Sequence, residues 1–335
     1  MHEPPTTITA AAIEQGLSEH YQLRPDRLEF LPLGHDSSAW VYRVEAAGQV
    51  FFLKLRRSVH NPVSLLIPRF LHDQGVERVV APLPTSTQQA WAEVAGHAMI
   101  LYPFVEGQTG MQQRLNATQW HTYGAIVRQI HSVALSAELA GLLRREQFFP
   151  DGAAKVAKLD QALSSSSFEQ PLAQELADFW QQQRATIQRL LNAAIVLGGQ
   201  LAHTPLPLIL CHADIHTNNV LVDQQEQVWI VDWDEVMLAP KERDLMFLIE
   251  GISTSWVTPA ETQQAMAGYG PTQVDQAALS YYRAAWALSD IGDFGDQVLF
   301  RTDLGQHTRQ EALRCLKGLF QPGEIVAIAE ASLRR

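Results

Sequence analysis

At 335 residues with 46% hydrophobic composition, the chain is long enough to bury an ordinary core and to divide into two domains or lobes. A formal net charge of -11 without any run of Lys or Arg leaves nucleic-acid binding without its usual electrostatic source and favours cationic partners. Two cysteines, Cys211 and Cys315, are too few for a disulfide framework or a Cys-rich zinc site, which fits a reducing cytoplasm.

The opening MHEPPTTITA has neither the basic nor the apolar part of a signal peptide. The most apolar stretch, LLNAAIVLGG from Leu190, is shorter than the ~20 residues a membrane span requires, so no membrane partner is expected. Thr9 to His20 reads as a short amphipathic helix. The following FLPLGHDSSAWVYRVEAAGQVFFLKLRR reads as three strands, the first ending near Leu33, the second running through Glu45 and the third reaching Leu55. Lys54 shares a strand face with Val50 and Phe52, an apolar setting in which a lysine needs a reason.

Pro62 opens a helical stretch, PVSLLIPRFLHDQG, that Gly75 closes, and HAMILYPFVEG from His97 reads as a buried strand running into a connector. Asn116 with Gln119 predicts a helix start, and Trp120, Tyr123, Val127, Ile130 and Ala134 form an apolar stripe behind it. After a polar loop at Ser164 to Ser167, Pro171 begins a long helical region. Short strands return at LPLILCH and QVWIVDW, and the last third is helical. The order predicts a lobe of mixed sheet at 1–105 and a mostly helical lobe at 106–335.

CHADIHTNNVLVD, from Cys211, carries the chemistry and admits two readings. His212, Asp214 and His216 alternate as zinc or iron ligands would on an extended segment, but none of the twelve histidines supplies a second recognisable metal pair. Phosphoryl transfer needs a carboxylate for the hydroxyl proton, oxygen ligands for magnesium and a lysine on the phosphates. Asp214 precedes Asn219 by five residues, the spacing of base and metal-binding Asn in a kinase catalytic loop; Asp232 ends the apolar run of IVDWDE, and Lys54 sits on the third strand.

These residues resemble the aminoglycoside phosphotransferase family, which carries an H-G-D-x-x-x-x-N loop and a later I-D-[FW] motif on a protein-kinase-like fold. The resemblance runs from Leu33 to about Gln297, and LCHADIHTNNVLVD followed by VDWDEVMLAPKERDL is its most specific part. Together with LKLRR, LLIPRFLHDQG and LYPFVEG, that wording is most similar to the spectinomycin phosphotransferases. The resemblance implies an α+β, bilobal fold with a small N-terminal antiparallel-sheet lobe and a larger helical C-terminal lobe. It implies ATP as phosphate donor and Mg2+ as cofactor.

By the same resemblance Asp214 is the catalytic base and His212 supports its loop, Asn219 and Asp232 bind magnesium, and Lys54 contacts the ATP phosphates. The loop with Gly34 and Ser37 and the hinge of Tyr102, Phe104 and Val105 hold the nucleotide. Pro103 has no N–H to donate there. Asp244 braces the catalytic loop, and His216 is structural or close to phosphate.

Three departures stand out. Ala213 replaces a glycine, which a negative φ would tolerate. The loop after Leu33 has one glycine and no GxGxxG. The helix after Lys54 has no Glu, so the usual partner of that lysine is missing.

For the acceptor, Asp234 and Glu235 beside the metal motif, and Asp290 and Asp293 three residues apart, are candidate carboxylates for substrate ammonium groups. The expected protein is a monomeric antibiotic kinase acting on a hydroxyl of a cationic small molecule, with spectinomycin the expected acceptor. A metabolic kinase for homoserine, choline or a thiosugar is the alternative, followed by a catalytically silent nucleotide-binding module and a metal-dependent hydrolase.

Overall fold

The computed structural model describes residues 5, 7–32, 39–59, 61–165 and 168–334. Its elements in chain order begin with α1 (Ala10–Tyr21), β1 (Arg27–Leu31), β2 (Ala39–Ala46), β3 (Gln49–Arg56), α2 (Val63–Asp73), β4 (Ala92–Val94), β5 (His97–Pro103) and β6 (Gly107–Thr109). There follow α3 (Ala117–Ser132), α4 (Ala137–Leu142), α5 (Ala153–Ser165), α6 (Pro171–Leu201), β7 (Ile209–Cys211), a 3-10 turn at Thr217–Asn219, β8 (Val220–Asp223) and β9 (Val228–Ile230). The chain ends with β10 (Met237–Ala239), α7 (Glu242–Leu248), α8 (Pro259–Tyr269), α9 (Gln276–Leu299), α10 (Gln306–Gly318) and α11 (Ile325–Ser332).

Two compact units emerge: Met1–Leu115 with Ser132–Leu143 and Thr217–Val236, and Asn116–His131 with Arg144–His216 and Met237–Arg335. In the first, an antiparallel sheet runs β1-β2-β3-β5-β4. Period-2 alternation sets its faces: Phe51, Leu53 and Leu55 of β3 are buried with Leu17, Val44 and Leu101, whereas Val50, Phe52, Lys54 and Arg56 lie on the other face and are only partly buried. Thr9 caps α1, its side chain accepting the Ala12 N–H, and Tyr21 at the other end donates to the Met99 carbonyl. A second sheet, β6-β8-β9, carries the Thr217–Asn219 turn at its edge, and the Val231 N–H donates to the Asn219 carbonyl.

The expected return of short strands is realised differently from the sequence pattern. QVWIVDW supplies β9, which pairs with β8 in the first unit, whereas β7 from LPLILCH pairs with β10, a strand the sequence reading passed over. MLA is too short to show a period, so only its partner reveals it.

In the second unit the predicted capping at Asn116 is present in full: Asn116 N–H donates to Gln119 Oε1 and Gln119 N–H to Asn116 Oδ1, both at 2.9 Å. Trp120, Tyr123, Val127 and Ile130 of α3 are buried. Helices α5, α6, α10 and α11 pack on the central α9 around Leu176, Trp180, Leu190, Leu288 and Ile291. Close crossings use glycine: a Cβ on Gly124 of α3 would lie 1.8 Å from the Ala265 carbonyl oxygen, and one on Gly268 of α8 would lie 1.8 Å from that of His121. No helix among the described residues is long and apolar enough to cross a membrane.

Candidate active site

In the second unit, β7 delivers the chain into His212-Ala213-Asp214-Ile215-His216. Asp244, fully buried on α7, accepts the backbone N–H groups of His212 at 2.9 Å and Ala213 at 2.7 Å. Its other partner is His131, buried near the end of α3, with Nε2 2.9 Å from Asp244 Oδ2 and Nδ1 2.9 Å from the Tyr269 hydroxyl. Burial alone would raise the Asp244 pKa, but hydrogen bonding from His131, the nearby imidazoles and the Ala213 N–H together hold it below the ordinary carboxylate value. A buried carboxylate on α7 thus accepts two backbone N–H groups of the loop.

Ala213 corrects one expectation. Its φ is +69°, in the left-handed region, where a side chain is disfavoured by roughly 1–2 kcal/mol. The glycine it replaces was therefore conformationally useful, and the two N–H bonds to Asp244 help to hold the alanine in place.

Asp214 follows, partly buried. Its backbone N–H donates to His212 Nδ1 at 3.3 Å, and its Oδ1 lies 3.3 Å from His216 Nε2. The Tyr123 hydroxyl donates to the Ile215 carbonyl and pins the loop between them. The His216 ring meets the edges of Phe247 and Trp286, with centroids 6.0 and 6.4 Å away, and Phe247 and Trp286 meet each other at 5.1 Å. Arg243 lies over the Trp286 ring.

One turn along α9 from Trp286 lies Asp290, pushed up to about 7 by burial, with the Asp293 charge adding to the rise and the Trp286 indole opposing it. Asp293 itself is partly exposed and is held by Lys155. The first residue of the pair thus stands near the aromatic group, while the second is engaged in a surface ion pair.

The metal-hydrolase arrangement is not formed. His212 is buried with Nδ1 taken by a backbone N–H, and His216 turns towards Asp214. Among the described residues, the His, Cys and acidic side chains that do converge are His131, Cys211 and Asp244, all buried, with the first and last already bonded to each other.

In the first unit, a cavity of about 640 Å³ opens against the polar face of β3, a size suited to a nucleotide-like ligand. Val41, Val80, Leu221 and Val231 give it apolar walls, and Lys54, Asp232 and Asp234 bring charge. Tyr102, Phe104 and Val105 line it. The Phe104 N–H already donates to the Val50 carbonyl at 3.3 Å, and among the described residues the Val105 N–H has no such acceptor. Burial, with Asp234 and Asp232 nearby, raises the Tyr102 phenol and keeps it protonated.

Asp232 is exposed and adopts φ +65°, an unusual conformation for a residue other than glycine. Asn219 is buried, and its backbone is tied to Val231, next to Asp232. A carboxamide and a carboxylate are hard oxygen donors, the type that magnesium takes alongside water and phosphate, so this pair fits the metal the resemblance implies. Gly34 and Ser37 lie outside the described residues. Glu235 is exposed.

The sequence reading left Lys54 without a partner, and the structure supplies one. Asp234 Oδ2 lies 3.6 Å from Lys54 Nζ and Oδ1 3.1 Å from Arg56 Nη1. Expected to meet substrate, Asp234 instead engages two cations of β3. His131 and Tyr123 were also missed as supports of the loop; a histidine on an otherwise apolar helix stripe was the one signal for the former.

Residues 29–284 match the family described as "Phosphotransferase enzyme family" (APH). The spectinomycin phosphotransferase APH(9)-Ia, solved with ADP and spectinomycin, is 33% identical, spans 98% of this chain and 99% of its own, and superposes with a TM-score of 0.90. Its AMP-bound complex is 32% identical over 97% and 99% of the two chains, with a TM-score of 0.85. Protein StrN of Streptomyces griseus is 25% identical over 88% of this chain and 86% of its own. A choline kinase, LicA of Streptococcus pneumoniae, shares the fold at 16% identity and a TM-score of 0.53, spanning 92% of this chain and 98% of its own. With a brace under its HAD loop, a cavity bearing lysine and aspartate, and a family match across most of its length, this chain belongs to the aminoglycoside phosphotransferase family and is a kinase-like phosphotransferase.

Proposed function

We propose that the protein transfers the γ-phosphoryl group of ATP to a hydroxyl of a cationic aminocyclitol, with spectinomycin as the preferred acceptor. The observation that carries this reading is the 33% identity, over nearly the whole of both chains, to a phosphotransferase solved with ADP and spectinomycin. The fold alone would not select an acceptor.

The residues divide the work. Asp214 orients the acceptor hydroxyl and takes its proton as the oxygen bonds to phosphorus and the bond to the ADP oxygen breaks, giving a phosphate ester, ADP and a proton. His216, 3.3 Å from Asp214 Oδ1, fixes that carboxylate. Asn219 and Asp232 hold magnesium, which when bound neutralises charge on the phosphates. Lys54 contacts the phosphates, and the Val105 N–H is the hinge donor for adenine. Most of the acceleration then comes from positioning and electrostatics. Asp290, one turn along α9 from Trp286, meets a substrate ammonium group.

A metabolic kinase for homoserine, choline or a thiosugar is the alternative reading, because the fold alone accommodates several acceptors. The silent-module reading rested on the missing partner of Lys54, and Asp234 removes that support. Magnesium-dependent ADP release, measured with spectinomycin, kanamycin, homoserine and choline against no acceptor, separates these. Stimulation by spectinomycin alone is expected. Stimulation by choline alone would replace the acceptor, and none by any would sink the kinase reading.

A further inference from the structure

Kinase-like folds need their phosphate-binding lysine held in one place, and helix α2 offers no carboxylate for this. Its residues on the cavity wall are Ser64 and Pro68, and its one acid, Asp73, is engaged by Arg69. Resting on the reading of Lys54 as the phosphate-binding cation, we propose that Asp234 is the positioning residue that replaces the helix carboxylate.

Three contacts converge on it. Lys54 and Arg56 point from the same face of β3, two residues apart, and one carboxylate spans both: Oδ2 lies 3.6 Å from Lys54 Nζ and Oδ1 3.1 Å from Arg56 Nη1. With side-chain exposures of 22% for Lys54 and 19% for Arg56, water only partly solvates the two cations, so the ion pairs are less screened than at an open surface. The Asp234 carbonyl also accepts Asn61 Nδ2 at 3.3 Å, and the Asn61 carbonyl accepts the Ser64 N–H at 3.2 Å and its hydroxyl at 2.8 Å. Asp234 therefore ties the start of α2 to β3, a link that a helix carboxylate would otherwise make.

Charge balance favours the same role. With Arg56 sharing Asp234, the three side chains carry a net positive charge and Lys54 is fixed without being neutralised. Both carboxylate oxygens face cations of β3, which leaves Asp234 poorly placed to recognise a cationic acceptor.

The test is a double-mutant cycle of wild type, Lys54→Met, Asp234→Asn and the double variant. It is read on spectinomycin-stimulated ADP release and, in parallel, on ATP hydrolysis without acceptor. Each single substitution is expected to lower kcat by roughly 10- to 100-fold, the scale of a misplaced catalytic group. The double variant should fall no further than Lys54→Met, and the KM for spectinomycin should stay within about two-fold. Asp234→Ser repeats the measurement with different packing, and melting temperatures report the fold of each variant.

Additive losses in the double variant would overturn the proposal, as would a loss confined to the spectinomycin KM or a wild-type kcat in both Asp234 variants beside an impaired Lys54→Met. A wild-type kcat in Lys54→Met would instead remove the reading of Lys54 itself.

Discussion

Ala213 and Asp290 show how single positions set the behaviour of this loop and of its surroundings. Ala213 holds a left-handed φ that glycine adopts without cost, so Ala213→Gly is expected to stabilise the protein by about 0.5–1 kcal/mol after the greater freedom of unfolded glycine is subtracted. Differential scanning calorimetry checks this, and a lowered melting temperature would mean that the methyl group packs better than its backbone suffers. Asp214→Ala should abolish turnover while ATP affinity, measured by calorimetry, changes little; a variant with near-wild-type rate would remove Asp214 from the mechanism. For Asp290, the folded value of about 7 lies above the ordinary value of 3.8. Between these values the folded chain keeps a proton that the unfolded chain has released, so stability falls as pH rises through that window and the deficit is complete above it. Asp290→Asn should therefore match wild type near the lower end and melt higher at the alkaline end. The charged groups nearby are Asp293, paired with Lys155, so a melting difference that is flat with pH would point to that pair instead.

At the scale of elements, the loop depends on α3, which brings both Tyr123 and His131 to it, and α3 depends on its crossing with α8. Gly124 and Gly268 face each other's helices reciprocally, with no space for a methyl group on either. Gly124→Ala and Gly268→Ala should each destabilise the protein by about 1–3 kcal/mol and lower kcat as α3 shifts; urea denaturation and activity at one temperature check both. A variant as stable as wild type would mean that the helices separate freely.

The same element shows what a sequence can reveal. The Asn116 and Gln119 capping and the α3 stripe were legible because they obey local periodicity, and so was the HAD loop, whose spacing is fixed within eight residues. Lys54 was legible as an oddity on its strand, but its tie to Asp234 spans 180 residues of chain and leaves no local pattern. The pairing of β7 with β10 and the positive φ at Ala213 were hidden for the same reason, since both are settled by tertiary contacts with Met237 to Ala239 and with Asp244.

Across the whole molecule, the residues proposed for the two substrates fall in different compact units. Every residue lining the cavity of Lys54 and Asp232 belongs to the first unit, whereas Asp214, His216, Phe247, Trp286 and Asp290 belong to the second. Each ligand should therefore leave its own signature in hydrogen exchange, because protection reports local opening of the segment that a ligand stabilises. ATP with magnesium alone should slow exchange in residues 50–56, 101–106 and 220–234. Spectinomycin alone should slow it in 212–216, 243–248 and 282–291. Asp214→Ala should keep the first signature, and Asp290→Asn should weaken the second without touching the first. Protection by spectinomycin confined to the first unit would move the acceptor into the cavity and exclude Asp290 from its recognition.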